Sequence, residues 1–165
     1  MGMELIGRRL SAGELRALID DPSTAEDLLY GDLDDDDAEM PEPELDLDKF
    51  WHGVHYLLTG TAWDVGDGAA GAAILGGTEI GDDGGYGPAR LLDADLVRAV
   101  AAGLDDLDPE ALRARFDPAA MSAAEIYPDV WTDVAADDLI EHLGTLRDFY
   151  RSAAEQGQAI LLAIV

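Results

Sequence analysis

The sequence predicts a single α+β domain, residues 1–165, with several helices packed on a small sheet that includes the N-terminal and C-terminal strands. Three observations carry that prediction. The C-terminal run "QAILLAIV" is apolar without alternation, the pattern of a strand buried on both faces and central in its sheet. Several other segments show apolar spacing of helical period, bounded by capping residues. Strand-like segments are few and helix-like segments many, which is the balance of an α+β fold.

Taken in order, "MELIGRRL" reads as an edge strand, and "SAGELRALID" opens the first helix. Ser11 can cap that helix and Glu14, three residues on, completes a capping box. Leu15, Leu18 and Ile19 form its apolar stripe, and Pro22 stops it. From "YGDLDDDDAEMPEPELDLD" to Asp48 there is no basic residue. Like charges and two prolines make residues 31–44 an acidic loop. Asp32, Asp34 and Asp36 have the first spacings of an EF-hand, but Asp37 stands where glycine is required and Pro43 where the bidentate glutamate is required.

"KFWHGVHYLLTG" reads as a helix capped by Asp46 or Asp48 and ended by Gly60. Steps of 100° put Leu47, Phe50, Trp51, Val54, Leu57 and Leu58 on its core face. Lys49, His52, His55, Tyr56 and Thr59 then fall on the opposite face. That geometry keeps the histidines out of the core, facing a cleft or a second layer of protein. The glycine-dense stretch that follows contains a G-x-G-x-x-G match at Gly66, Gly68 and Gly71. No strong strand precedes it and its aspartates would repel a pyrophosphate, so these glycines are expected to serve turns and close chain crossings. "GYGPAR" reads as a turn leading to Arg90, Leu91 and Leu92. Asp93, Asp108 with Pro109, and Asp117 with Pro118 begin three helices. "EIYPDVW" reads as extended, because Tyr127 precedes Pro128. A long helix follows on Leu139, Ile140, Leu143, Leu146, Phe149, Tyr150 and Ala153, with Gly157 as its stop.

Composition excludes several classes of function. The net charge of −26 opposes nucleic acid and anionic membranes and favours a basic protein partner. The absence of cysteine rules out disulfides, thiolate metal sites and thiol chemistry. No apolar run is long enough to span a bilayer, and "MGMELIGRRL" has no signal-peptide pattern, so a cytoplasmic location is expected. One lysine against nine arginines, with abundant alanine, glycine and aspartate, reads as the coding bias of a GC-rich bacterium.

"LDKFWHGVHYLLTG", "ILGGTEIGDDGGYGPAR", "EIYP" followed by a tryptophan, and "DFYRSAAEQGQAILLAIV" together resemble the YfbM-like family of bacterial proteins, a domain of unknown function. The resemblance spans nearly the whole chain, the acidic loop being least like it. It implies a single α+β domain in the bacterial cytoplasm and brings no established catalytic or binding residues.

The polar and aromatic residues of those segments form the candidate cleft: His52, His55, Tyr56, Glu79, Tyr86, Arg90, Glu125, Tyr127 and Trp131. An Arg90–Glu125 pair, if formed, would be structural. No cofactor and no metal is expected; His52 and His55, with Glu79 or Glu125, are the ligands a cation would use. His142, one turn after Asp138, reads as half of an exposed helix pair. Two classes of function follow. The first is a noncatalytic acidic module that binds a basic protein, as toxin-neutralising proteins do. The alternative is a small enzyme or a ligand- or metal-binding protein using a cleft lined by His52, His55, Arg90 and Glu125.

Overall fold

The computed structural model describes residues 2–31, 34–37, 39 and 41–165. The chain runs β1 (Leu5–Leu10), α1 (Ala12–Asp20), α2 (Thr24–Tyr30), β2 (Leu45–Asp48) and α3 (Trp51–Thr59). A short 3-10 turn (Ala69–Gly71) leads into α4 (Ala72–Leu75) and the hairpin of β3 (Thr78–Ile80) and β4 (Ala89–Leu92). Then come α5 (Ala94–Asp105), α6 (Pro109–Arg113), α7 (Pro118–Ala123), α8 (Ala136–Glu155) and β5 (Ala159–Ile164). The strands form one sheet of order β2-β1-β5-β4-β3, antiparallel throughout.

β5 is the central strand, and its alternation explains the unbroken apolar run. Ile160 and Leu162 enter the larger core, shared with α3 to α8. Ala159, Leu161 and Ala163 enter a smaller core under α1 and α2. A strand with helices on both sides has no polar face to offer. The N-terminal strand is not at an edge: β1 lies between β2 and β5, pairing with β5 from Leu5↔Ile164 to Leu10↔Ala159. The edge is occupied by β2, whose residues the helical pattern places at the start of the following helix. Its "LDLD" alternates buried and exposed, with Leu45 and Leu47 inward, a period of two too short to stand out beside the stronger helical pattern. Asp46 and Asp48 therefore do not cap α3. Asp48 instead occupies the left-handed region (φ 49°), with its backbone N–H bonded to Asp46 Oδ1 at 2.7 Å. The N-cap position of α3 is Phe50, which makes no side-chain cap.

The other caps form as the sequence indicates. Ser11 and Glu14 make the reciprocal capping box, and Asp93, Asp108 and Asp117 each accept a backbone N–H at the start of α5, α6 and α7. α8 ends at Glu155, and Gly157, just past the cap residue Gln156, takes a positive φ of 63°. α2 had no counterpart in the sequence reading, although Ala25, Leu28 and Leu29 ahead of Gly31 carry the signal. "EIYPDVW" is a turn rather than an extended segment: Glu125 (φ 57°) and Asp129 (φ 60°) are left-handed and Tyr127–Pro128 is cis. The preference of the residue before proline constrains Tyr127 alone, and the turn is made by its neighbours. Asp32, the first residue of the calcium-like spacing, lies outside the described residues.

α3 sits close to α8 and the 126–131 turn because Gly53 has no side chain. A Cβ there would lie 2.8 Å from Cζ3 of Trp131 and closer still to Cη2. Trp131 is 1% exposed and holds its indole N–H on the Ile126 carbonyl at 2.8 Å, so its ring cannot withdraw cheaply. Gly53→Ala should therefore destabilise the protein by about 1–3 kcal/mol, despite the better helix propensity of alanine. Urea unfolding followed by tryptophan fluorescence measures it; an unchanged or higher midpoint would show that the two elements are not in this contact.

Candidate functional site

His52 and His55 project from α3 into the loop that follows it, and both are fully buried. They are buried rather than outside the core, and of the two settings expected for their face it is the second layer of protein that is present. The polar face of α3 is covered by the chain between Gly60 and Gly68, a second layer that helical periodicity alone does not locate. His52 Nδ1 accepts the backbone N–H of Tyr127 at 2.9 Å, so its other nitrogen carries the proton and donates to the Ala62 carbonyl at 2.7 Å. His55 Nε2–H donates to the Asp64 carbonyl at 3.0 Å. Its Nδ1 is buried with no hydrogen-bond partner among the described residues. Both rings are thus neutral Nε2–H tautomers tying one helix to one loop.

Burial holds both histidines in that state. It depresses the basicity of His52, opposed by the Ala62 carbonyl. For His55 the pKa is lowered to about 4, by burial first, with His52 and Arg90 acting in the same direction. The imidazole of His52 meets two tryptophan rings that are themselves 6.3 Å apart. Trp51 stacks on it at 4.8 Å and 13° between planes, and Trp63 lies against it at 4.5 Å. Trp63, absent from the sequence candidates, is 62% exposed; an isolated tryptophan in a glycine-rich loop was its only signal.

The nine sequence candidates separate into groups. His52 and Tyr127 belong to an aromatic cluster with Trp51 and Trp63 that also holds the N-terminal segment: Tyr127 Oη accepts the Met3 N–H at 2.9 Å, and Trp51 Nε1–H donates to the Met3 carbonyl at 3.0 Å. Trp131 packs separately, against Phe50. His55 belongs with Arg90, whose charge it feels. Arg90 stands directly across the β3–β4 ladder from Glu79, its electrostatic partner, and among the described residues its guanidinium makes no hydrogen bond. Tyr86 and Arg90 line one small depression with Pro88 and Ile74. Tyr56 packs half-buried against the core. Glu125 is exposed on its left-handed turn and forms no ion pair with Arg90. His142 bonds the Asp138 backbone carbonyl at 2.7 Å and sets its ring edge on Phe50, rather than pairing with the Asp138 side chain. Among the described residues, no three histidine or acidic side chains are placed to hold a metal ion, and no helix is long and apolar enough to cross a membrane.

A family model described as "Domain of unknown function (DUF1877)" matches residues 1–163. This chain belongs to that family. The YfbM-like resemblance of its motifs agrees with a solved structure, that of the protein of unknown function YfbM from Escherichia coli. It superposes with a TM-score of 0.74 at 24% identity, covering 99% of each chain. That similarity establishes the fold this DUF1877 chain shares with YfbM. No curated protein matches it.

The buried histidines make stability depend on pH with a defined sign. Their folded-state pKa values lie below the unfolded value of about 6.5, so the unfolded chain binds more protons on acidification and stability falls. For His55 the contribution is complete above about pH 6.5 and is lost as pH falls toward 4, a loss of about 3 kcal/mol in total. His55→Gln, which keeps a donor near the Asp64 carbonyl, should be less stable at pH 7 and show a shallower decline to pH 5 in urea titrations. An identical decline in the variant would show that His55 is not buried in its neutral form.

Proposed function

We propose that this DUF1877 chain is a noncatalytic module that binds a basic protein, toxin-neutralising proteins being one instance of the type. The observation that carries the reading is where the few cations go. Five arginines are spent on internal ion pairs: Arg8–Glu14, Arg9–Glu44, Arg98–Asp95, Arg113–Asp137 and Arg151–Asp105. Arg115 and Arg147 donate to the backbone carbonyls of Leu57 and Leu107. Seven of the ten lysines and arginines therefore have a partner within the chain, which carries 36 acidic residues. From Phe50 to Ala89 there is no basic residue. That span presents exposed Trp63 and Tyr86 beside the exposed carboxylates of Asp64, Asp67, Asp82 and Asp83. Aromatic anchors within a negative field suit lysine- and arginine-rich partners, by cation–π contact and by electrostatic steering.

The chemistry that would support catalysis is, by contrast, consumed internally. Three of the four ring nitrogens of His52 and His55 are committed to backbone groups. A second reading, a small-ligand site, is favoured by one observation: among the described residues Arg90 makes no hydrogen bond, and its charge acts on the ring of His55, whose Nδ1 has no partner among them. His55 ring resonances that move on adding inorganic phosphate or zinc, and do so no longer in Arg90→Gln, would support it. Rings that ignore both would remove it.

For the main reading, the immobilised protein should retain a protein of high isoelectric point from low-salt lysate of its own cells and release it as ionic strength rises. Trp63→Ala should weaken that complex about tenfold, the loss expected for an interfacial tryptophan. Retention of nothing, or retention indifferent to salt, rejects the reading.

A further inference from the structure

On the sheet face opposite the histidines, α1 and α2 do not cover the strands to their edge. A cleft opens between α2 and the β3–β4 hairpin. Its floor includes Leu29, Ile80, Ala89 and Ala163. Its walls approach each other closely at one end, where a Cβ on Gly81 (φ +81°) would lie 3.2 Å from the Pro22 carbonyl oxygen and 3.5 Å from the Ala25 Cβ. The hairpin wall is internally braced: Asp83 Oδ1 accepts the backbone N–H groups of Gly85 at 2.7 Å and Gly87 at 3.0 Å.

Two exposed carboxylates from different walls, Glu26 and Asp82, border this apolar floor. Neither forms an ion pair among the described residues. Tyr30 stands one helical turn after Glu26 and lines the same cleft. Burial, with the Glu26 charge adding to it, keeps the Tyr30 phenol protonated and available for neutral hydrogen bonding.

We propose that this cleft receives an arginine side chain of the basic partner, its methylene stem on Leu29, Ile80, Ala89 and Ala163 and its guanidinium between Glu26 and Asp82. The inference rests on the binding-module reading above and names where, and by what, the partner is held. An apolar trough ending in carboxylates matches a side chain that is apolar along its stem and cationic at its head. Two acceptors on separate walls suit the planar fork of a guanidinium better than the single point charge of an ammonium. Neutral and anionic occupants gain nothing from the rim, and anions are repelled by the net charge of −26.

The test is an NMR titration of the whole protein with acetyl-Gly-Arg-Gly-amide and with the same peptide carrying uncharged citrulline. The arginine peptide should shift the methyl signals of Leu29, Ile80, Ala89 and Ala163 saturably, and the citrulline peptide should not. Glu26→Gln with Asp82→Asn should weaken the arginine peptide about fivefold, in a variant whose remaining spectrum is unchanged. Shifts scattered over carboxylates elsewhere with these methyls silent, equal binding of citrulline, or undiminished binding by the double variant would each overturn the assignment. The lysate experiment separates this proposal from the reading beneath it. A double variant that still captures the basic protein undiminished removes the cleft and leaves the binding module. Seating of the peptide in the cleft, with no protein retained by the unaltered chain, removes the module and leaves an arginine-binding cleft.

Discussion

Burial of β5 on both faces is the constraint around which the other elements are arranged. Its odd- and even-numbered residues point into different cores, so helices must exist on both sides of the sheet. The larger core takes α3 to α8 and, within it, the long stripe of α8 from Leu139 to Ala153. Among the described residues the smaller core is closed by two short helices, and the cleft beside the β3–β4 hairpin opens where they stop. β1 and β4 flank β5 because a central strand needs a hydrogen-bonding neighbour on each edge.

Polar groups near the larger core follow the same logic. α3 carries two histidines on the side away from the sheet, and the loop after it folds back to cover them. The loop supplies backbone carbonyls at Ala62 and Asp64, so each buried ring finds an acceptor. The 126–131 turn supplies the N–H that completes His52, and through Tyr127 the same turn fastens the backbone at Met3. One helix thus gathers the N-terminus, a loop and a turn through side-chain to backbone bonds. The rings act as neutral cross-links, and among the described residues the Nδ1 of His55 is left without a partner.

The charge has a structural side as well. Most arginines bridge elements distant in sequence, such as Arg9 to Glu44, Arg151 to Asp105 and Arg115 to the end of α3. Placed in this way, they leave the glycine-rich loops and the tip of the hairpin as negative surface with two exposed aromatics. Self-repulsion at such a surface is tolerable where the loops are short-range braced, as Asp83 braces the hairpin.

Much of the fold was legible in the sequence because its signals are local. The capping box at Ser11, the aspartate caps of α5 to α7, the stripe of α8 and the unbroken run of β5 each depend on neighbours within a few residues. The same local rules led astray where a weak period met a stronger one: "LDLD" was absorbed into the adjacent helix, and a proline preference was extended over a whole turn. What the sequence by itself determined was the α+β class, the central terminal strand, the acidity and the motifs of the family. What only the tertiary structure decided was the second layer: which loop covers the histidines, which tautomers they hold, and that Arg90 faces Glu79 rather than Glu125. The reason is physical. Periodicity states which side of an element is apolar, whereas the partner of a polar side chain is set by chain that returns from afar, and no spacing within the element encodes it.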